Sequence, residues 1–116
     1  MSGDETGWGI MASITILDKT ADLEEKFKEL SAQWYRETGM LSFIRQKAIH
    51  PAYQRIIGMG SAALPFIFRE LSENRGDWLW ALAAITGEDP AKGITNFKQA
   101  IEAWLAWGRA NGYLQQ

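Results

Sequence analysis

The chain has 116 residues, a formal net charge of -2, 47% hydrophobic and 22% charged residues, one histidine and no cysteine. A chain of this length forms one domain and buries roughly two-thirds of the surface that it exposes when unfolded. The lack of cysteine excludes a disulfide scaffold, a thiolate zinc site and a cysteine nucleophile, and a single histidine excludes a multi-histidine metal site. We therefore expect no metal and no cofactor.

The first 19 residues differ in composition from the rest. Glycines alternate there with small and polar residues, and Asp4 and Glu5 precede the first basic residue, Lys19. This charge order is wrong for a secretory or transit peptide, and no apolar run approaches the ~20 residues of a membrane span. We expect a cytoplasmic protein with no membrane contact and a flexible arm over residues 1–19. The β-branched stretch Ser13–Leu17 offers the alternative of a short strand.

Helical periodicity begins at residue 20 and predicts an amphipathic helix over Thr20–Thr38. One narrow apolar stripe carries this prediction: Leu23, Phe27, Leu30 and Trp34. In the middle of the chain, Ser42 is expected to cap a helix that ends before Pro51, and Pro51 opens a second one that runs to Ile57. Ser61 is expected to cap the next helix.

Two further helices are predicted in the C-terminal half. Residues 78–86, capped by Asp77, are apolar on all sides and predict a central helix contacted on most sides. The last helix runs over residues 96–111, with Thr95 or Asn96 as its cap. Its main apolar stripe consists of Phe97, Ile101, Trp104 and Leu105. About five helical segments with short loops predict an all-α fold, a compact single-domain bundle over residues 20–116.

Part of this region carries a recognisable pattern, which consists of Ile57-Gly58-Met59-Gly60, Ala63-Leu64-Pro65, Glu70-Leu71, Trp80-Ala81-Leu82 and Ile85-Thr86-Gly87. It resembles a HEAT-type helical hairpin, in which a glycine-containing turn opens a helix with proline in its first turn and a second helix packs back. The resemblance covers about 30 residues and implies one unit, because a solenoid needs three or more repeats.

A longer pattern runs from His50-Pro51-Ala52-Tyr53-Gln54 through Gly58-Met59-Gly60 to Gly87-Glu88-Asp89-Pro90. It resembles a family of small bacterial proteins to which no activity is assigned. The resemblance implies a compact helical domain and supplies no catalytic residues.

A basic segment over residues 39–60 has a net charge of +3 in an otherwise acidic chain. Pairing with the acidic first helix explains these charges most simply; an acidic protein partner is one alternative. Nucleic acid or a phosphate ligand is another, although a few phosphate contacts give only weak, salt-sensitive affinity. The anion-binding candidates are Arg45, Lys47, His50, Tyr53 and Arg55.

His50 is also the only side chain whose intrinsic pKa suits acid–base catalysis near neutral pH. A catalytic role would need an orienting carboxylate, for which Glu88 or Asp89 are the candidates. Because Pro51 follows it at the expected start of a helix, we favour a role in which His50 accepts from a free backbone N–H or packs on Tyr53.

Six tryptophans are the least ordinary feature of the composition. Helical spacing assigns Trp34, Trp78 and Trp104 to the core and leaves Trp80 and Trp107 unexplained by one-sided burial. We combine these two tryptophans with small residues on one side of the last helix as the candidates for binding a partner. They are Trp80, Trp107, Ala100 and Ala103. The chain lacks phosphate-loop, nucleophile-elbow and zinc-protease motifs. We therefore expect a non-enzymatic module that binds another protein or itself, of the antitoxin, inhibitor or adaptor type.

Overall fold

The structure is a computed structural model that describes residues 21–40, 44–74 and 76–115. Helices account for its regular structure, and these ranges contain no strand, which confirms the all-α prediction. The predicted arm over 1–19, with its alternative strand, lies outside the described residues. In chain order the elements are α1 over residues 21–38, α2 over Ile44–Ala48, α3 over Pro51–Gly58, a 3-10 helix over Gly60–Ala63, α4 over Leu64–Asn74, α5 over Leu79–Thr86 and α6 over Phe97–Ala110.

A single hydrophobic core runs through the bundle. Helix α3 packs against α2 and α5, and α4 packs against α5 and α6. Trp34, Trp78 and Trp104 are all within 2% of complete burial, which confirms their assignment to the core. The indole Nε1 of Trp34 donates to the backbone carbonyl of Lys47 at 2.8 Å, so this ring also ties α1 to α2.

Several predicted helix ends are confirmed. Asn96 caps α6, because its side-chain oxygen accepts from the backbone N–H of Gln99 at 2.9 Å. Gly87 closes α5 in the left-handed conformation at φ 71°, which favours glycine because it has no Cβ. His50 occupies the N-cap of α3, with Pro51 in the first turn.

Two predicted caps are wrong. Ser61 lies inside the 3-10 helix, and α4 begins only at Leu64. Asp77 does not cap α5: its carboxylate accepts from Lys47 Nζ at 2.8 Å, and Trp78 occupies the N-cap position without a side-chain cap. The local sequence pattern predicts that this carboxylate caps the helix, but it forms an ion pair with a nearby lysine instead.

Phe97 was expected in the main stripe of α6, but it is 52% exposed. Further along α6, the Trp104 ring lies at a tilt to Phe68 of α4, with 6.5 Å between centroids, and Gly108 lies against the same Phe68 ring. Phe97 is the first residue of α6, about 10 Å or more along the helix from these contacts, and it is not among the side chains that pack against the core.

Helix α5 is not the surrounded central helix that its sequence predicts. Ala81 and Leu82 are buried, but Ala83 and Ala84 are exposed and Trp80 is 45% exposed. One side of an entirely apolar turn of helix therefore faces outward.

Candidate functional site

The outward side of α5 is formed by Trp80, Ala83, Ala84 and Gly87, all of them exposed, and is called here the α5 outer face. At 100° per residue, the other three lie within about 60° of Trp80, so the four form one strip. The strip holds one large aromatic ring among positions with little or no side chain, and it carries no charge. On α1, by contrast, most of the exposed positions are charged.

The opposite side of α5 is anchored by Tyr53. The buried Tyr53 hydroxyl donates to the carbonyl of Asp77 at 2.9 Å and accepts from the N–H of Ala81 at 2.9 Å. At the other end, the Thr86 hydroxyl donates to the carbonyl of Leu82 at 2.7 Å. These bonds fix the backbone on which the α5 outer face is built.

Trp78 anchors the start of α5 within an aromatic cluster. Its ring stacks on Tyr53 at 5.8 Å between centroids and lies at a tilt against Trp34 at 4.8 Å. Its Nε1 donates to the Tyr35 hydroxyl at 3.0 Å, and that hydroxyl in turn donates to Glu70 Oε1 at 3.2 Å. Helices α1, α3 and α4 all therefore contribute to holding the residue that precedes α5.

Burial raises the pKa of both tyrosines in this cluster. The pKa of Tyr35 rises to about 12, mainly because the phenolate would lose hydration, while the Trp78 hydrogen bond acts in the opposite direction. Burial also raises the pKa of Tyr53 well above its usual value. Both hydroxyls are therefore protonated at neutral pH, as their roles as hydrogen-bond donors require.

The candidates on α6 are less accessible than Trp80. Trp107 is half-buried: it stacks on Phe68 at 5.9 Å and on Tyr113 at 6.0 Å between ring centroids. Ala100 is buried and Ala103 is half-buried. The structure does not bring these three residues into the α5 outer face.

The five anion-binding candidates do not form one free basic surface. Tyr53 is fully buried. Lys47 pairs with Asp77 at 2.8 Å, and His50 pairs with Glu37 at 2.8 Å. Arg45 and Arg55 are exposed on α2 and α3, and neither has an ion-pair partner within the residues that the structure describes. Arg55 borders a groove of about 680 Å³ between α1 and α3 that also contains a carboxylate, Glu29.

His50 has two partners and a defined tautomer. Its Nδ1 accepts from the N–H of Ala52 at 3.0 Å, so the ring proton is on Nε2, which donates to Glu37 Oε1 at 2.8 Å. The hydrogen bond from His50 holds the pKa of Glu37 below its usual value. The carboxylate beside His50 is thus one from α1, not Glu88 or Asp89.

Sequence reasoning singled out Trp80 but not the two alanines beside it. Ala83 and Ala84 follow Trp80 at i+3 and i+4, the spacing that places side chains on one helix face. This spacing was readable in the sequence, but it does not show which side of an apolar helix faces outward.

A metal centre and a membrane-spanning helix find no support in the described ranges. No group of three or more histidine or acidic residues could hold a metal ion there, and each buried side-chain nitrogen or oxygen has a partner. No helix among these residues is both long enough and apolar enough to cross a bilayer. Comparisons with models of protein families, with curated proteins and with solved structures find no match to this chain.

Proposed function

We propose that this protein is an interaction module that binds a protein partner through the α5 outer face. The observation that carries the proposal is that an uncharged strip, with Trp80 at 45% exposure, faces outward on a rigidly anchored helix. An exposed tryptophan flanked by small residues is the kind of anchor that protein interfaces use.

The composition of the strip suits a helix or a flat apolar surface as its contact. Trp80 supplies the kind of aromatic anchor that dominates binding energy at interfaces. Ala83, Ala84 and Gly87 leave room beside it, so a partner backbone can approach to the 8–10 Å axis separation of packed helices.

The contribution of Trp80 can be estimated from its exposed area. About half of a tryptophan surface is on the order of 100 Å², and burying it contributes about 2.5 kcal/mol at 25 cal/mol per Å². This corresponds to a loss of affinity of more than tenfold in Trp80→Ala. Because Trp80 is half-exposed, the same substitution should change the free energy of unfolding by much less than a core tryptophan would.

A small chain with such a face fits a regulatory or accessory role, such as that of an antitoxin, inhibitor or adaptor. In each of these, binding is the activity itself, and no catalytic group is needed. The structure supports this proposal through the α5 outer face alone.

The test is affinity capture from the native host with three forms of the full chain. Wild type and Phe97→Ala should capture the same partner, and Trp80→Ala should lose it. Phe97 is a suitable control because it is a comparably exposed aromatic residue on a different helix. Capture that is undiminished in Trp80→Ala, or no partner for the wild type and no self-association, would refute the proposal.

A further inference from the structure

The α5 outer face has a large side chain near one end and a glycine at the other. Trp80 lies near its start, and Gly87 lies seven residues later, about 10.5 Å along the axis. Gly87 has no side chain, and even a Cβ built there would meet no atom within 4 Å. Another molecule can therefore approach the backbone at Gly87 without meeting a side chain at that position.

The spacing of this strip makes it complementary to itself. The midpoint between positions 80 and 87 falls between Ala83 and Ala84. A twofold axis through this midpoint sets two α5 helices antiparallel and places each Trp80 over the Gly87 of the other copy. Both ring-over-glycine contacts then form at once, as a twofold interface requires, and the alanines at the axis permit close approach.

The charges at the two ends of α5 favour the same arrangement. Exposed Glu88 and Asp89 follow the C-cap Gly87, and at the other end the Trp78 side chain does not cap the helix, although the N–H of Ala81 is bonded to Tyr53. In an antiparallel pair, these carboxylates lie near the positive N-terminal end of the other α5, where negative charge is stabilising. A parallel pair would instead set the two acidic ends against each other.

We propose that the partner of the α5 outer face is a second copy of this chain, bound with its α5 antiparallel. This rests on the proposed function above and names the partner of the same face. A helix pair of eight residues per copy buries less than the roughly 1,200 Å² of a standard interface, so the dimer is weak and transient. We expect dissociation constants in the range of about 10 µM to 1 mM.

Analytical ultracentrifugation of the full chain tests the association directly. We expect the wild type to pass from monomer to dimer over this concentration range. Trp80→Ala should raise the dissociation constant of the dimer at least tenfold. Ala84→Glu, which introduces a residue that favours a helix, should have an effect of the same size. Phe97→Ala should leave it unchanged, and circular dichroism confirms that each variant folds.

Because the chain contains no cysteine, disulfide trapping can locate the axis without background. Ala84→Cys, placed beside the axis, should oxidise to a covalent dimer much faster than Ala106→Cys, in which the substituted alanine is also exposed but lies on α6. Neutralising the charges with Glu88→Gln and Asp89→Asn should weaken an antiparallel dimer, because it removes the attraction to the other helix N-terminus. The same change would strengthen a parallel dimer, because it removes the repulsion between the two acidic ends, and so overturn the proposed orientation.

The outcomes separate this inference from the proposed function. A chain that stays monomeric at 1 mM, with equal trapping of the two cysteine variants, overturns self-association. If Trp80→Ala still abolishes capture of another protein in that case, the proposed function stands with a different partner. A wild-type dimer that neither Trp80→Ala nor Ala84→Glu weakens contradicts the inference, because the contact then lies elsewhere.

Discussion

Gly108 gives the sharpest test of how α6 is held against α4. A Cβ added at this position would lie 2.7 Å from both Cδ1 and Cε1 of Phe68 and 3.3 Å from its Cγ. The Phe68 ring cannot move aside, because it is fully buried and stacked against Trp107 at 5.9 Å and Tyr113 at 5.5 Å. We therefore expect Gly108→Ala to destabilise the fold.

Two opposing contributions set the magnitude. Replacing glycine by alanine inside a helix stabilises by up to about 1 kcal/mol. Overpacking a filled core costs about 1–3 kcal/mol, and contacts of 2.7 Å to two ring carbons place Gly108→Ala in the upper part of that range. The expected net loss in the free energy of unfolding is about 1–2 kcal/mol, or a decrease in Tm of roughly 4–8 °C for a domain of this size.

Urea denaturation followed by far-UV circular dichroism measures this difference, provided that the m-value is unchanged. Gly58→Ala is the matched control: Gly58 also lies within a helix, α3, but a Cβ there would meet nothing within 4 Å. We expect this control to be neutral or to stabilise by up to about 1 kcal/mol. If Gly108→Ala is as stable as Gly58→Ala, the packing of α6 on Phe68 is not as close as described.

Three further predictions concern the hydrogen bonds around the core. Tyr53→Phe should lower the free energy of unfolding by about 1–3 kcal/mol, because it leaves the buried N–H of Ala81 unpaired. Tyr113→Phe is the control, and a loss in Tyr53→Phe no larger than in this control would contradict the prediction. Above pH 10 the unfolded chain ionises Tyr35 while the folded state, with a pKa of about 12, keeps the proton. The free energy of unfolding should therefore fall between about pH 10 and 12, with a slope smaller than the ~1.4 kcal/mol per pH unit of a group fully shielded from solvent. In Tyr35→Phe the urea midpoint should fall less over this pH range, and an unchanged slope would contradict the prediction. His50→Ala should lower the free energy of unfolding by about 1 kcal/mol, because α3 loses its N-cap. His50→Asn keeps a hydrogen-bond acceptor at this position and should recover most of that loss in a urea titration. Equal losses in the two variants would show that the cap contributes little.

The sequence predicts the fold class and most helix positions because those signals are local. Residues that cap a helix or close it act within one turn, so Asn96, Gly87 and His50 could be placed without knowledge of the tertiary structure. The amphipathic stripe of α1 likewise indicates which of its sides is buried, because its other side is charged.

The exposed side of α5 could not be predicted in this way. The helix contains no charged residue, so its wheel does not distinguish an inner side from an outer side. The choice is made by Tyr53, 28 residues before Ala81, whose hydroxyl accepts from the Ala81 N–H. Such a contact depends on how α3 packs and leaves no trace in the local pattern.

Trp80 and Trp107 looked equivalent in the sequence for a related reason. Each lies away from the centre of a buried stripe, but the chain beyond α6 turns back through a bond from Tyr113 N–H to the Gly108 carbonyl at 2.8 Å. This turn places the Tyr113 ring on Trp107 and covers it. No described segment does the same for Trp80.

In the proposed interaction, the two tryptophans at the start of α5 have separate roles, Trp78 in stability and Trp80 in binding. Trp78 and Trp80 are about 200° apart around a helix axis. Because Trp78 packs against the aromatic residues of α1 and α3, Trp80 must point away from the core. Holding Trp78 also holds the backbone that presents Trp80, so the proposed binding at the α5 outer face would need little further ordering of the chain and would have a lower entropic cost. Trp78 provides no side-chain cap for α5, and the Tyr53 hydroxyl accepts from the Ala81 N–H in the first turn instead. The contact with α3 that stabilises the start of α5 therefore also sets which side of the helix, the one with Trp80, faces outward.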